Sequence, residues 1–114
     1  MKYQSIDDLC MTDPPRFVHN THHILEVNDS ACELFRCYRQ DLLYLPMMRL
    51  IVNPDFRGLA KLRMVVMREH KRAAGPMRYK YRRFDGSRFW ASVESKHLGD
   101  DNLFETVLVY EGEA

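Results

Sequence analysis

The sequence predicts an α+β domain built on a five-stranded antiparallel sheet, and three features carry this prediction. Residues 77–82 alternate apolar or aromatic with basic side chains, which is the period of two of a strand. Asp85-Gly86 follows as a preferred hairpin turn. Asn53-Pro54 offers a helix cap and a proline at the first helical position. With 114 residues, 46% of them hydrophobic, the chain can form one core but not two.

Short elements fill the first half of the chain. Ser5 with Asp8 three positions later predicts a short helix over residues 5–10. Two runs close in sequence predict a hairpin of strands over 16–19 and 23–27. Further short helical segments are predicted over residues 31–35, 39–43 and 47–51. We expect residues 1–14 to form a cap helix and linker, and residues 15–112 to form the domain.

One long helix and three strands complete the chain. The helix is predicted over residues 54–71, before Ala74-Gly75-Pro76. Its apolar residues recur at helical spacing and predict an amphipathic helix that packs on another part of the domain through one stripe. That stripe consists of Phe56, Leu59, Leu62, Val66 and Met67. Strands are predicted over residues 77–82, 89–98 and 103–111.

The basic residues are concentrated in one part of the chain. The net charge is only +1, but residues 57–88 contain eleven basic and two acidic side chains. Such a block permits nucleic-acid binding, which stays an alternative function. However, the period of two places Tyr79 and Tyr81 on one side of the strand and Lys80 and Arg82 on the other. A single-strand binder would present aromatic and basic side chains together, so we expect no nucleic-acid partner.

Sequence motifs of enzymes and metal sites are missing. The chain has no Gly-rich phosphate loop, G-x-S-x-G or H-E-x-x-H. Its cysteines lack C-x-x-C spacing, which argues against a disulfide framework or a structural zinc site. His19, His22 and His23 are expected in a surface hairpin turn. We therefore predict no enzyme and no metal, with a small α+β enzyme as an alternative. No apolar run is long enough for a membrane span, and we expect a cytoplasmic location.

Four segments, in order, resemble a PAS domain, the sensory fold of many signalling proteins. They read ILEVNDSACELF, LFRCYRQDLL, LIVNPDF and YRRFDGSRFWASVES, and the resemblance extends from Arg16 to Tyr110. It implies a sheet in the order 2-1-5-4-3, with the short helices and the long helix covering one face and enclosing an apolar pocket. Arg36-Cys37 departs from the family's usual Gly-Tyr. Without glycine, Arg36 is expected to be modestly strained or to adopt a different turn.

The resemblance also bears on cofactors. Flavin photoreceptors of this family use a cysteine after the short helices, and the corresponding LLYLPMMRLIV has none. Haem-binding relatives place a histidine early in the long helix, whereas His70 lies in its last turn. A flavin adduct and haem are therefore both disfavoured, and the cofactor stays unknown. A small metabolite is the remaining type of ligand.

The expected pocket lies between the helices and the sheet. Arg63 is the candidate anchor for an anionic ligand, because a buried guanidinium needs a partner. The full set of candidate pocket residues is Ile24, Phe35, Leu50, Leu59, Leu62, Arg63, Val66, Tyr79, Tyr81, Phe89 and Leu108. We expect a non-catalytic sensor that relays ligand or partner binding to an output domain in transcription, two-component or diguanylate cyclase regulation. Family behaviour implies a homodimer, with Tyr3, Ile6 and Leu9 as candidate contacts.

Overall fold

The fold was obtained as a computed structural model, which describes residues 13–70, 74–99 and 102–114. The helix predicted over residues 5–10 lies outside the described residues. So do the candidate dimer contacts Tyr3, Ile6 and Leu9. Within the described ranges, no helix has the length and hydropathy that crossing a membrane would require.

Five antiparallel strands form one sheet. They are β1 (Arg16–His19), β2 (Ile24–Val27), β3 (Ala74–Arg82), β4 (Arg88–His97) and β5 (Phe104–Glu113). Their order is β2-β1-β5-β4-β3, which confirms the predicted sheet. The first and last strands therefore lie side by side within the sheet, where β1 pairs with β5 along its whole length.

The helical elements connect β2 to β3. They are α1 (Asp29–Phe35), α2 (Arg39–Leu42), a 3-10 turn (Met47–Leu50) and α3 (Pro54–His70). Asn28 begins α1, because its side-chain oxygen accepts from the backbone N–H of Ala31 at 3.0 Å. Arg36 ends α1 in the left-handed region at φ 54°. This is the strained conformation expected where the family usually has glycine.

Helix α3 faces the sheet with a different stripe from the predicted one. Leu59, Leu62 and Val66 are 47%, 59% and 36% exposed, so the prediction that they line the pocket is wrong. Phe56 and Met67 of the predicted stripe do face inward, and Ala60 and Met64 complete the inward side in place of the other three.

Contacts near both ends of α3 determine which of its sides faces the sheet. Near its start, the Phe56 ring packs on the Tyr79 ring at 5.9 Å between centroids. The Arg57 side chain also donates to the carbonyl of Ile51 at 2.8 Å. Towards its end, the buried Met67 packs with Phe104 of β5. These contacts hold the side of α3 that carries Ala60 and Met64, and not the side that carries Leu62, against the sheet.

The core is an aromatic cluster centred on Phe35. Its ring lies edge-on to the rings of Phe17, Tyr81 and Phe89, at centroid distances of 5.8, 6.0 and 5.2 Å. Such arrangements add about 0.5–1.5 kcal/mol per pair beyond burial. Around the cluster, the segment after the 3-10 turn joins the edge of the sheet through a bridge between Ile51 and Tyr81. This bridge brings the connecting segment up to the rim of a cavity.

Candidate functional site

A cavity of about 40 Å³ lies between α3, the 3-10 turn and the inner face of the sheet. It has room for about three water molecules or a small organic molecule. Most of its wall is apolar, and a few polar side chains reach into it. The lining residues are His19, Met47, Met48, Ile51, Ala60, Arg63, Met67, Tyr79, Tyr81, Val93, Ser95 and Thr106.

The sheet side of the cavity contains a hydrogen-bonded chain across three strands. Ser95 and Thr106 lie directly opposite each other on β4 and β5, and their side-chain oxygens are 2.8 Å apart. The Thr106 oxygen is in turn 2.7 Å from Nε2 of His19 on β1. His19 is buried, so its expected position in a surface turn is wrong. The physical reason is that it shares the inner face of β1 with Phe17, two residues earlier.

The donor and acceptor roles in this series of hydrogen bonds follow from one contact of His19 with the backbone. Nδ1 of His19 lies 3.0 Å from the carbonyl oxygen of Asn20, which can only accept. Nδ1 therefore carries the proton. Burial lowers the pKa of His19, which favours the neutral ring, and Nε2 is then an acceptor. It follows that Thr106 donates to His19 and Ser95 donates to Thr106.

Tyr79 lines the cavity and carries an unsatisfied polar group. Its side chain is almost completely buried, and its hydroxyl has no hydrogen-bond partner. Its ring packs against the ring of Phe56 of α3 and against the ring of Tyr81, and the Tyr79 and Tyr81 centroids are 6.3 Å apart. Burial raises the pKa of Tyr79, and the Arg63 guanidinium partly opposes this effect. An unpaired buried hydroxyl costs free energy, so this position favours a molecule that can hydrogen-bond to it.

Arg63 contributes the charge of the cavity wall. It is half-buried on α3 and lines the cavity together with apolar and neutral polar side chains. With His19 neutral, Arg63 is the one formally charged side chain among the described residues that line the cavity. Three of the candidate residues, Arg63, Tyr79 and Tyr81, line this one cavity, and their binding of a ligand stays a prediction.

The other predicted pocket residues lie elsewhere. Five are packed in the core behind the cavity and do not line it: Ile24, Phe35, Leu50, Phe89 and Leu108. Sequence reasoning also missed the polar wall of His19, Ser95 and Thr106. The two-residue period of a strand could have predicted Ser95, because alternate residues share one face and Ser95 follows Ala91 and Val93 on the inward side of β4.

The described basic residues of the block at 57–88 do not all face one surface. Arg83 is buried and binds both carboxylate oxygens of Glu113, at 2.6 and 2.8 Å. Arg78 pairs with Glu111 on the outer face of the sheet and stacks over Trp90. Arg57 is engaged at the start of α3. As predicted, Tyr79 and Tyr81 point inward whereas Arg82 is exposed.

Cys32 of α1 and Cys37, which follows the end of this helix, have no feature of a reactive site. Cys32 and Cys37 are both buried with free thiols. Burial raises the pKa of Cys37 to about 12, which keeps its thiol protonated and unreactive. Over the described part of the chain, no three His, Cys, Asp or Glu side chains cluster in a way that could hold a metal ion.

Solved structures share this architecture at low sequence identity. The PAS domain of a LuxR-family transcriptional regulator from Burkholderia thailandensis, solved in complex with ethanol, superposes with a TM-score of 0.72. It is 19% identical, and the match covers 91% of this chain and 94% of that chain. A PAS domain from a two-component sensor histidine kinase gives a TM-score of 0.69 at 18% identity, covering 86% and 85%.

A light-oxygen-voltage domain from a blue-light-activated histidine kinase of Erythrobacter litoralis also matches. Its TM-score is 0.70 at 14% identity, covering 89% of this chain and 98% of that domain. No curated protein sequence matches the chain. The sequence profile of the PAS fold, a fold found in sensor kinases and transcriptional regulators, matches residues 3–107. The chain therefore belongs to the PAS fold family.

Proposed function

We propose that this chain is a non-catalytic sensory module that binds a small molecule in the cavity beneath α3. The unpartnered, buried hydroxyl of Tyr79 carries this proposal, because an apolar core alone would not retain it. A ligand that hydrogen-bonds to Tyr79 would remove that cost. The ethanol complex of the Burkholderia thailandensis domain supports a ligand of similar size.

The relay would work through the packing of α3 on the sheet. The ligand would contact α3 at Ala60 and Arg63 and the central strands at Ser95 and Thr106. It would therefore favour whichever arrangement of helix and sheet fits it better, which is a population shift. Because β5 is central and carries Thr106, a change there would extend towards the end of the strand. This structural change would be passed on to the output domain of a transcription, two-component or diguanylate cyclase regulator.

Filling the cavity tests this proposal. Ala60→Phe places a ring inside the cavity, whereas Leu62→Phe adds a ring on the exposed side of the same helix. We expect ethanol and 1-propanol to shift the amide NMR signals of Ser95 and Thr106 in the wild type and in the Leu62 variant, but not in the Ala60 variant. Equal shifts in all three proteins, or no shift in the wild type, would contradict ligand binding at this cavity.

Native mass spectrometry and the absorbance spectrum of freshly purified protein give an independent test. We expect no visible band, because flavin and haem are disfavoured by the sequence. Extra mass without colour would indicate a bound metabolite. A visible band would overturn the assignment of a small colourless ligand.

We further propose that the chain acts in the cytoplasm as a homodimer through Tyr3, Ile6 and Leu9. The support is the amphipathic pattern of residues 5–10 and the family resemblance. Deleting residues 1–14 should give a monomer by light scattering. A truncated chain that stays dimeric would refute this surface.

A further inference from the structure

Helix α3 carries apolar side chains on its solvent side as well as on the side that faces the sheet. Leu59, Leu62 and Val66 follow one another at spacings of three and four residues, so they form one stripe along the helix. All three are exposed. The solvent side of a surface helix is ordinarily polar. A contiguous exposed apolar stripe is instead typical of a surface that another protein covers.

Packing within the domain does not explain the solvent side of α3. The sheet is contacted by other residues of the helix, such as Ala60 and Met64. Gly58 lies beside Leu62, one helical turn earlier, and a Cβ built at this glycine would meet no atom within 4 Å. The described domain therefore does not require a glycine here, although glycine is unfavourable in a helix interior. Its missing side chain leaves room for a partner's side chains next to the stripe.

A row of basic residues runs alongside the stripe. Arg57, Lys61 and Arg68 are spaced by four and seven residues, which places them on one line of the helix. Arg57 donates to the carbonyl of Ile51 at 2.8 Å, and Arg68 donates to the side-chain oxygen of Asn102 at 2.7 Å. Both acceptors are neutral, so these contacts leave the positive charges in place. Lys61, between the two arginines, is exposed. A partner that covers the stripe therefore meets positive charge along one flank, which acidic residues would complement.

The shape of the stripe suits another helix. Helix α3 has 17 residues, so a partner helix can lie along it for about 25 Å. Apolar residues at spacings of three and four are the pattern by which two helices interlock. The stripe is much smaller than the roughly 20–30 residues per side of a standard interface, so we expect a transient contact. An antiparallel pairing with a second copy of α3 would bring two basic rows together, which like-charge repulsion disfavours.

We infer that the solvent side of α3 is a docking surface for an amphipathic helix of a partner protein. The apolar side chains of that helix would cover Leu59, Leu62 and Val66, and its acidic residues would lie against the basic row. The small-molecule cavity lies beneath the other side of the same helix, so this docking surface does not depend on a bound ligand.

Two synthetic helices, labelled with fluorescein, test the inference. Each has about three heptads with leucine at a and d; one carries glutamate and the other lysine at e and g, and these like charges keep each peptide from pairing with itself. Fluorescence anisotropy measures their binding to the whole chain. We expect the glutamate peptide to bind about ten-fold more tightly than the lysine peptide. Its affinity should fall several-fold between about 0.05 and 0.5 M NaCl, because salt screens the exposed charges.

Two pairs of variants assign the binding to this side of α3. Leu62→Gln should weaken binding of the glutamate peptide about ten-fold, whereas Leu25→Gln, the same change at an exposed leucine of β2, should leave it unchanged. Lys61→Glu should weaken the glutamate peptide and strengthen the lysine peptide, each about ten-fold. Arg88→Glu, the same charge reversal on β4, should change either affinity by less than about two-fold. All four side chains are exposed, and circular dichroism checks that each variant is folded.

The wild type and the Leu62→Gln variant also distinguish the possible occupants. If the glutamate peptide does not bind, or if the Leu62 and Leu25 variants bind it equally well, the docking surface is wrong. If the two peptides bind the wild type equally, the acidic character of the partner is wrong. If the wild type self-associates in analytical ultracentrifugation and the Leu62→Gln variant does not, a second copy of the chain covers the stripe and the inferred partner is wrong.

Discussion

Replacing Tyr79 with phenylalanine should stabilise the ligand-free domain. The substitution keeps the ring, with its contacts to Phe56 and Tyr81, and removes only the hydroxyl that has no hydrogen-bond partner. A buried unsatisfied hydroxyl costs about 1–3 kcal/mol. Because water in the cavity would offset part of this cost, we expect a gain near the lower bound, about 1 kcal/mol.

Urea unfolding gives a direct measurement. A gain of about 1 kcal/mol raises the urea midpoint by about 0.5 M for a domain of this size. In a thermal melt it raises the midpoint by about 4 °C. The same variant should lose most of the stabilisation that a bound ligand gives to the wild type, because the ligand's partner has been removed.

Tyr110→Phe is the matched control. The Tyr110 hydroxyl donates to Glu113 at 2.5 Å, so its removal should lower stability by about 0.5 kcal/mol. The two Tyr-to-Phe changes therefore have opposite expected signs. If the Tyr79 variant is destabilised as much as the Tyr110 variant, its hydroxyl is already satisfied in the empty domain. A ligand would then not be needed to satisfy the Tyr79 hydroxyl.

Three further predictions concern acid stability and the orientation of α3. Hydrogen bonds from Arg83 lower the pKa of Glu113 to about 2, so the ion pair contributes fully above the ordinary pKa of 4.5 and is lost as the pH falls towards 2. The Glu113→Gln variant should thus lose less stability than the wild type in urea titrations between pH 5 and 2.5; parallel curves would contradict this. Burial lowers the pKa of His19. The neutral ring therefore contributes fully to the folding stability above pH 6.5, and this contribution is lost as the pH falls below 6.5. His19→Gln should flatten the stability profile between pH 7.5 and 5, and an unchanged profile would show that His19 does not cause it. Finally, Met64→Ala should cost about 2–5 kcal/mol, whereas Leu62→Gln should stay within about 0.5 kcal/mol. A larger loss of stability for Leu62→Gln than for Met64→Ala would mean that the side of α3 with Leu62 packs on the sheet, as first predicted.

Local patterns in the sequence account for most of the fold. The alternation at residues 77–82 and the Asp85-Gly86 turn determine a hairpin whose inward rings are Tyr79 and Tyr81. Asn53-Pro54 marks the start of α3, which begins at Pro54 as predicted. These features depend on backbone preferences and on the two-residue period of a strand, which act within a few residues. The order of the strands came instead from the family resemblance.

The site depended on contacts that no local pattern contains. Helix α3 carries two overlapping apolar stripes, and only its packing on Tyr79 and Phe104 decides that Ala60 and Met64 face the sheet while Leu62 does not. His19 and Thr106 are 87 residues apart and meet because β1 pairs with β5. Sequence alone therefore determined a sheet, a long helix and an inward aromatic row. The tertiary structure decided the polar wall of the cavity, because hydrogen bonds between distant strands arise only once the sheet has assembled.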